Sequence, residues 1–310
     1  MSKIKKICVG IAGALLAAAA VGGIVFLACF PPVKTSSEPL TGRVAETNEL
    51  RIASYNTAAP WGNALLGTAS SRRVKLFSNE LQQIAPDSIG VQEINSAWVK
   101  KLSEINPNYA YYGIPRDDIS SEKQTEMSGI FYLKDKYELL ESDTFWISET
   151  PEEMSIYPDA GCYRTCSYVV LKNKDTGFTY VHLNTHLDNV STAAQNLGGR
   201  LIAEKAQDLT GKYGDGVTVV ITGDFNQYVD GEACTVLLDD GFQNASAINP
   251  DASSTPTYHN WGKIDEDQPI DFIFYDGKLE AKSYTVHNER QGRSYTSDHW
   301  CISADFQLNK

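Results

Sequence analysis

Short apolar segments that end in an acid, an amide or an imidazole recur along the chain, and they constrain its fold more than any other feature. One of them, from Thr218 to Asp230, reads TVVITGDFNQYVD, and its β-branched run stops at Gly223, just before Asp224 and Asn226. An ionised side chain beside an apolar strand is costly unless it is paired or bound to a cation. The pattern therefore predicts strands that end at a polar cleft.

Six strand ends carry such side chains, and none has a lysine or arginine beside it in the sequence. One of them alone would fit a structural ion pair, whereas six favour a single cleft at one edge of the core. The six are Asn56, Gln92–Glu93, Asn184–Asp188, Asp224–Asn226, Asp271 and Ser297–His299.

Hydrophobic residues repeat with the two-residue period of strands in some segments and with the 3.6-residue period of helices in others. Trp98, Leu102 and Ile105 share one helical face, which indicates core packing. The segments 137–144 and 172–178 are typical of hairpin connections. Strands mixed with helices predict an α/β (α+β) layered sandwich. The predicted helices are 70–84, 95–105 and 191–209, and the predicted strands are 49–56, 87–93, 128–133, 145–147, 165–172, 178–184, 217–222, 270–275 and 301–306.

Residues 1–34 form a separate N-terminal segment. Three lysines precede an uncharged run from Ile7 to Phe30, which at about 1.5 Å per residue could cross a hydrocarbon layer of about 30 Å as a helix. We expect an uncleaved anchor with its N-terminus inside, with lipoprotein processing at Cys29 and ordinary signal cleavage as alternatives. Each of them places the rest of the chain outside the cytoplasm. Residues 35–48 are expected to be a polar tether, and residues 49–310 a single domain.

The chain is acidic, with a formal net charge of −12 over 310 residues. An acidic domain disfavours strong non-specific binding of nucleic acid, since phosphate contacts need lysine and arginine. It does not exclude action on phosphate esters, because a bound divalent cation inverts the local field. The cysteines beyond the N-terminal segment either pair in an oxidising compartment or stay as buried free thiols: Cys162, Cys166, Cys234 and Cys301.

The side chains at the strand ends favour one class of chemistry. Carboxylate and amide oxygens are suited to a hard cation, Mg²⁺ first, with Mn²⁺ or Ca²⁺ as alternatives. The sequence contains no Gly-x-Ser-x-Gly elbow and no Walker loop, which disfavours acyl transfer and nucleotide-driven motors. A metal, an imidazole and neutral amide donors together are what hydrolysis of a phosphate ester requires.

In this order the motifs resemble those of the endonuclease/exonuclease/phosphatase superfamily, whose members are DNase I-like. The resemblance spans about residues 49–310 and rests on Asn56, Gln92–Glu93, NTHLD at 184–188, GDFN at 223–226, IDFIF at 270–274 and SDH at 297–299. It implies a four-layer sandwich of two central mixed β-sheets flanked by helices, with an active site at one edge. Residues 49–310 would then be the catalytic domain.

The resemblance also implies roles for individual residues. Glu93 would be the principal metal ligand, supported by Asn56 and Asp298. His299 would act as the base or as the imidazole that contacts phosphate, oriented by Asp271.

Three further residues would act directly on the phosphate. His186 would contact the scissile group, and Asp224 would orient the attacking water or ligate a second metal. Asn226 would donate a hydrogen bond to a phosphoryl oxygen. Asp224 and Asn226 are two positions apart, so an extended chain would point both to one side.

Other polar residues are weaker candidates for substrate binding. Arg164 precedes a strand pair where related secreted bacterial proteins often carry an arginine. His259 and Trp261, in TYHNWGK, could line the cleft, although a loop that only packs on the domain is equally compatible with the pattern. His182 falls on no motif, so we interpret it as a structural residue.

These observations predict an exported, divalent-metal-dependent phosphodiesterase of nuclease type. The first alternative is a phosphatase or phospholipid phosphodiesterase acting on an inositol phosphate, a sugar phosphate or a sphingomyelin-like headgroup. A non-catalytic surface binding module is the second. The expected partners are a phosphate-ester substrate, either nucleic acid or a phosphorylated small molecule, and the membrane that holds the N-terminal segment. The sequence indicates no protein partner.

Overall fold

The computed structural model describes residues 21–22, 25, 29–35, 48–59, 69–117, 125–214, 216–263 and 266–308. Within them the strands form two mixed sheets. Sheet A has the order β11-β12-β1-β2-β4-β3 and sheet B the order β5-β6-β7-β8-β10-β9. The strands are β1 (Glu49–Asn56), β2 (Ser88–Ile94), β3 (Tyr109–Tyr112), β4 (Met127–Leu133), β5 (Tyr137–Trp146), β6 (Thr165–Asn173), β7 (Thr179–His186), β8 (Thr218–Asp224), β9 (Gln243–Asn244), β10 (Asp271–Tyr275), β11 (Leu279–His287) and β12 (Cys301–Leu308).

Helices cover the outer face of each sheet, so the domain has four layers. Three apolar clusters follow this order: helices α1 and α2 on sheet A, sheet A on sheet B, and helices α3 and α4 on sheet B. This architecture confirms the predicted sandwich. The helices are α1 (Ser70–Ile84), α2 (Ser96–Ile105), α3 (Thr192–Tyr213), α4 (Glu232–Asp239) and the single turn α5 (Pro250–Ser253).

Each sheet contains one parallel pair, β1 with β2 and β7 with β8, next to antiparallel neighbours. The carboxyl ends of these four strands lie at the same edge as the beginnings of β10 and β12. The register places Asp271 opposite Asp224, and His186 also opposite Asp224. Polar residues that are far apart in sequence therefore meet at this edge.

The edge strands of the two sheets are the part of the fold that the pattern misses. Segment 137–144 is not a hairpin connection but most of β5, and β3 and β11 were not predicted. The middle of β5, including Leu139 and Leu140, is exposed because this strand pairs only with β6. An edge strand with one covered side has too few buried positions to show a clear alternation.

The N-terminal run from Ile7 to Phe30 lies mostly outside the described residues, and so does most of the predicted tether at 35–48. In the part of the chain that is described, no helix is both long and apolar enough to span a bilayer. Residues 29–35 do contact the domain. Arg72 donates to the Pro31 carbonyl at 2.6 Å, and Asn79 donates to the Lys34 carbonyl at 3.1 Å.

Candidate active site

The strand ends enclose a cavity of about 450 Å³ at the edge of the two sheets. Seven of the residues predicted from the sequence line it: Glu93, Arg164, His186, Asp224, Asn226, Asp298 and His299. Two others lie directly behind the lining, because Asn56 hydrogen-bonds to Asp224 and Asp271 to His299. The cavity walls combine carboxylates, imidazoles and guanidinium groups, as a site for a charged ligand requires.

His299 is held by a buried carboxylate. Its Nδ1 lies 2.8 Å from Asp271 Oδ2, and its Nε2 lies 3.6 Å from Asp224 Oδ2. Burial alone would lower the pKa of His299, but Asp271 and Asp224 outweigh it and raise the pKa to about 10. The imidazolium form is therefore favoured, and its Nε2 faces Asp224 Oδ2.

Asp224 lies at the centre of the site. It is 1% exposed, and Asn56 Nδ2 donates to its Oδ2 at 2.8 Å. Burial and the nearby charge of Asp271 raise the pKa of Asp224 to about 7, although His299 and the hydrogen bond from Asn56 act against this shift. A carboxylate with a pKa near neutrality is suited to accept a proton from water.

His186 contacts the same carboxylate from the other side. Its Nε2 lies 3.5 Å from Asp224 Oδ2. Burial, followed by the positive charges of Arg164 and Arg116, lowers the pKa of His186 well below its ordinary value. His186 is thus a neutral imidazole, in contrast to His299.

Glu93 reaches the cavity through an irregularity in its strand. The pairing of β2 with β4 shifts register between Val91 and Ile94, and Glu93 has a φ of 57°. A non-glycine residue in the left-handed region at a bulge is a strained conformation that re-aims its side chain. Asn56 Nδ2 donates to Glu93 Oε1 at 3.0 Å and fixes the carboxylate in that direction.

The donor set at Glu93 fits a hard divalent cation. Glu93 and Asp298 both line the cavity, and burial together with the negative charge of Glu93 raises the pKa of Asp298, while His299 lowers it. A divalent cation between the two carboxylates would relieve that repulsion. Asn56 would support the site, although its Oδ1 already accepts from the Ala58 amide at 2.9 Å.

A second group of possible ligand atoms lies next to this pair. In the described part of the chain, Asp224, Asp271 and His299 each offer an atom within 4.8 Å of the others. The hydrogen bond between His299 Nδ1 and Asp271 already engages two of these atoms. Glu93 and Asp298 therefore remain the candidate cation ligands, and Asp224, Asp271 and His299 the candidates for proton transfer.

Asn226 reaches the site by a different route from the one predicted. Strand β8 ends at Asp224, and Asn226 has a φ of 49°, so the chain is not extended here. The Asn226 amide donates to Asp224 Oδ1 at 3.0 Å and closes a tight turn. Its side-chain Nδ2 donates to the Leu187 carbonyl at 2.9 Å. The turn, and not the alternation of a strand, brings both side chains to the cavity.

The structure places neither His259 nor Trp261 in the described cavity lining. His259 is 1% exposed and stacks on Trp300 with 3.8 Å between the ring centroids. Trp261 packs on the guanidinium of Arg73, 5.3 Å from its ring centroid. Tyr258 lines the cavity instead and contacts the His299 ring at 4.9 Å. The segment thus supports the site from behind, with the His259 amide donating to the Asp298 carbonyl at 2.8 Å.

Arg73, which the sequence did not single out, holds the two loops that carry the predicted metal ligands. It is completely buried in α1. Its guanidinium donates to backbone carbonyls in the loop that follows Asn56 and in the loop that precedes Asp298. The acceptors are Thr57 at 2.6 Å, Ala58 at 3.0 Å, Ala59 at 2.5 Å and Thr296 at 3.2 Å.

Fold and site together define a class of protein: a two-sheet α/β sandwich that gathers acidic, amide and imidazole groups at the strand ends. The Endonuclease/Exonuclease/phosphatase family model matches residues 53–299, so the chain belongs to that family. Members of the family are hydrolases that act on phosphate esters, and they generally use divalent metals. No curated protein sequence matches the chain.

Solved structures support this membership. An endonuclease/exonuclease/phosphatase family protein from Bacteroides thetaiotaomicron is 28% identical, with a TM-score of 0.74 over 84% of this chain and 95% of that one. A mannosyl-6-phosphatase from the same organism is also 28% identical, with a TM-score of 0.74 over 84% and 100%. The D. rerio TDP2, complexed with a single-strand DNA product, shares the fold at 18% identity, with a TM-score of 0.65 over 84% and 99%.

Proposed function

We propose that this protein is a divalent-metal-dependent hydrolase of small phosphate monoesters. The observation that carries this proposal is the hydrogen-bonded set that joins both sheets at one cavity. In this set, Asn56 links Glu93 to Asp224, while Asp271 holds His299 beside that same Asp224. Such a set can fix a cation, a water and a phosphoryl group relative to one another.

Glu93 and Asp298, supported by Asn56, would hold the divalent ion, for which Mg²⁺ is our first choice. When bound, the ion neutralises charge on the phosphoryl group and makes a nearby water more acidic. The chain itself supplies orientation, because Asn56 and the bulge at Glu93 set the direction of the carboxylate before any ligand arrives.

The remaining polar residues handle protons and phosphoryl oxygens. Asp224 accepts the proton of the attacking water, in keeping with its raised pKa. His299, cationic between Asp224 and Asp271, donates a hydrogen bond to a phosphoryl oxygen and stabilises the charge that develops in the transition state. His186 contributes as a neutral donor, and Asn226 keeps Asp224 oriented through its backbone amide.

The size of the cavity favours a small substrate over the nucleic acid expected from the sequence. A volume of about 450 Å³ lies within the usual range for small-molecule sites. The 28% identical mannosyl-6-phosphatase supports a phosphorylated sugar as the first compound to test. The likeness to the DNA-bound TDP2, at 18% identity, concerns the fold alone and does not favour a nuclease.

We also propose that the protein works outside the cytoplasm, held at a membrane by residues 7–30. The length and apolar character of that run support the proposal. The mass of the intact protein extracted from membranes tests this proposal. An uncleaved anchor gives the mass of the whole chain, whereas signal cleavage would remove residues before the tether.

The function is tested with the purified full-length chain. Mannose 6-phosphate, other sugar and inositol phosphates, sphingomyelin, plasmid DNA and RNA are each offered with Mg²⁺ and then with EDTA. We expect phosphate release from a sugar phosphate in Mg²⁺, abolished by EDTA and by Glu93→Gln. Glu138→Gln, an exposed change on β5, is the matched control. Cleavage of DNA or RNA with sugar phosphates untouched would instead support a nuclease.

A further inference from the structure

Two arginines, Arg116 and Arg164, line the same part of the cavity wall as His186. All three residues also line a smaller recess. Burial, and then the positive charge of each arginine, lowers the pKa of His186. Tyr258 and Glu266 line the cavity but not this recess.

Arg164 is fixed in place, yet part of its guanidinium has no partner. Its side chain is 5% exposed; Nε lies 3.3 Å from Asp188 Oδ2, and Nη2 donates to Asn189 Oδ1 at 3.0 Å. Asp188 is itself anchored by backbone amides, with Ser191 at 2.8 Å and Gly161 at 3.0 Å. The third nitrogen, Nη1, is buried and makes no hydrogen bond within the described residues.

Arg116 is held in a similar way. Its Nη1 lies 2.7 Å from Glu126 Oε2, and its Nε lies 3.9 Å from Asp117 Oδ2. This buried Nε makes no hydrogen bond in the described part of the chain. A buried donor without an acceptor costs free energy, so natural proteins rarely keep two of them in one cavity. An anion bound between the two guanidinium groups would satisfy both donors.

We propose that Arg116 and Arg164 form an anion subsite that recognises the doubly charged phosphoryl group of a monoester and so selects monoesters over diesters. This proposal rests on the proposed function, because it assigns the substrate class of the same cavity. A monoester phosphate carries a charge of about −1.5 to −2 at neutral pH, whereas a diester carries one charge. In a diester, an esterified oxygen would replace a charged one at the arginines and could not accept from two guanidinium groups as strongly.

Calorimetry with inorganic phosphate tests the subsite without any turnover. Phosphate is titrated into the full-length protein in Mg²⁺, and the same titration is made with Arg164→Gln and Arg116→Gln. We expect at least a tenfold loss of affinity in each variant. Arg200→Gln is the matched control, since Arg200 lies on the exposed face of α3, paired with Glu232. Thermal unfolding shows whether each variant is folded. Because Arg116 is less buried than Arg164, Arg116→Gln should disturb the fold less.

Kinetics on a matched pair of esters tests the selectivity. For a monoester and a diester of the same alcohol, Arg164→Gln should lower kcat/KM at least tenfold on the monoester and less than threefold on the diester. Equal losses on both esters would overturn the selectivity. Phosphate affinity unchanged in both arginine variants would overturn the subsite itself.

The test also separates this proposal from the proposed function. If no ester is hydrolysed but phosphate binding depends on both arginines, the subsite stands and the hydrolase proposal fails. If sugar phosphates are hydrolysed and phosphate binding ignores both arginines, the hydrolase proposal stands and the subsite fails.

Discussion

Asn56 shows how a single residue can orient two carboxylates at the candidate site. Its Nδ2 group donates to Glu93, on sheet A, and to Asp224, on sheet B. Its Oδ1 accepts from Ala58, so the amide cannot rotate without losing contacts. Both carboxylates are thus placed by one side chain that is completely buried.

Asp271 should matter mainly through its effect on His299. In Asp271→Asn the carboxylate that stabilises the imidazolium is lost, so the pKa of His299 falls from its raised value. We expect kcat to fall by about 10²-fold or more, the scale for loss of a donor that stabilises charge in the transition state. Steady-state kinetics measures kcat, and an NMR titration of the ring measures the pKa. Asp239→Asn, an exposed change in α4, is the control; an unchanged pKa in Asp271→Asn would contradict this role.

The sequence identifies site residues when they directly end an apolar strand. Glu93, Asp224 and His299 are of this kind, so their positions could be predicted. Arg73 could not, because its acceptors lie at Thr57 and at Thr296, which is 223 positions away. Contacts between loops distant in sequence leave no periodic signal that a single sequence can show.

Helix α1 stabilises the site through Arg73. In Arg73→Met, the carbonyls of both loops lose their donor, at a cost of about 1–3 kcal/mol for each buried group left unsatisfied. We expect a lower free energy of unfolding and weaker binding of Mn²⁺ at Glu93 and Asp298. Arg73→Lys keeps the charge but has three donors on one nitrogen in place of the five donors of a planar guanidinium, so it should restore only part of both.

Urea unfolding and Mn²⁺ calorimetry measure the two effects of the Arg73 variants. If Arg73→Met bound Mn²⁺ as tightly as the wild type, Arg73 would be needed for stability alone. The comparison with Arg73→Lys separates loss of charge from loss of geometry.

Helices α3 and α4 pack closely because α3 has a glycine, Gly199, where it contacts Ala233 of α4. An ideal Cβ atom at Gly199 would lie 2.6 Å from Ala233 Cα, so Gly199→Ala must push the helices apart. We expect a loss of about 1–3 kcal/mol in the free energy of unfolding, as for overpacking. Gly211→Ala in the same helix meets no atom within 4 Å and should stabilise it by about 0.5–1 kcal/mol. Urea unfolding measures the free energy of unfolding of both variants. A change of the same sign in the two would contradict this explanation.

Among the helices and strands, the central strands of each sheet can be predicted from the sequence, whereas the edge strands cannot. Strands such as β7 and β8 are buried along almost their whole length and are easy to recognise. Strand β5 resembled a turn because it is covered on only one side. The sequence predicts an extended chain at Asn226, where the structure has a turn. The neighbours of a left-handed asparagine do not distinguish it in the sequence.

At the scale of the whole molecule, the sheets are joined by polar contacts as well as by apolar packing. His182 on β7 contacts Ser88 Oγ and Thr222 Oγ1, each at 2.8 Å. Asn184 accepts from Gln92 at 2.7 Å and donates to the Val91 carbonyl at 3.0 Å. These contacts confirm the structural interpretation of His182, and they place Asn184 between the sheets and not in the cavity.

His182 should make the stability of the sandwich depend on pH. Burial lowers its pKa to about 3, whereas the unfolded chain protonates near pH 6.5. The unfolded state therefore binds more protons between these values, so the stabilisation is complete above about pH 6.5 and is lost as the pH falls toward 3. Each pH unit changes the free energy of unfolding by up to about 1.4 kcal/mol.

Urea unfolding of the wild type and of His182→Gln between pH 7 and pH 4 measures this dependence. The variant should be less stable at pH 7 and should lose less stability on acidification. Parallel curves for the two proteins would show that other groups cause the acid sensitivity.

Asn56 reaches across from one sheet to the other, and this has a consequence for when the protein can act. Glu93 and Asp224 come together only after both halves of the sandwich have docked, so a chain in which only one sheet has formed has no complete site. Hydrolysis would then indicate that the two sheets have packed together.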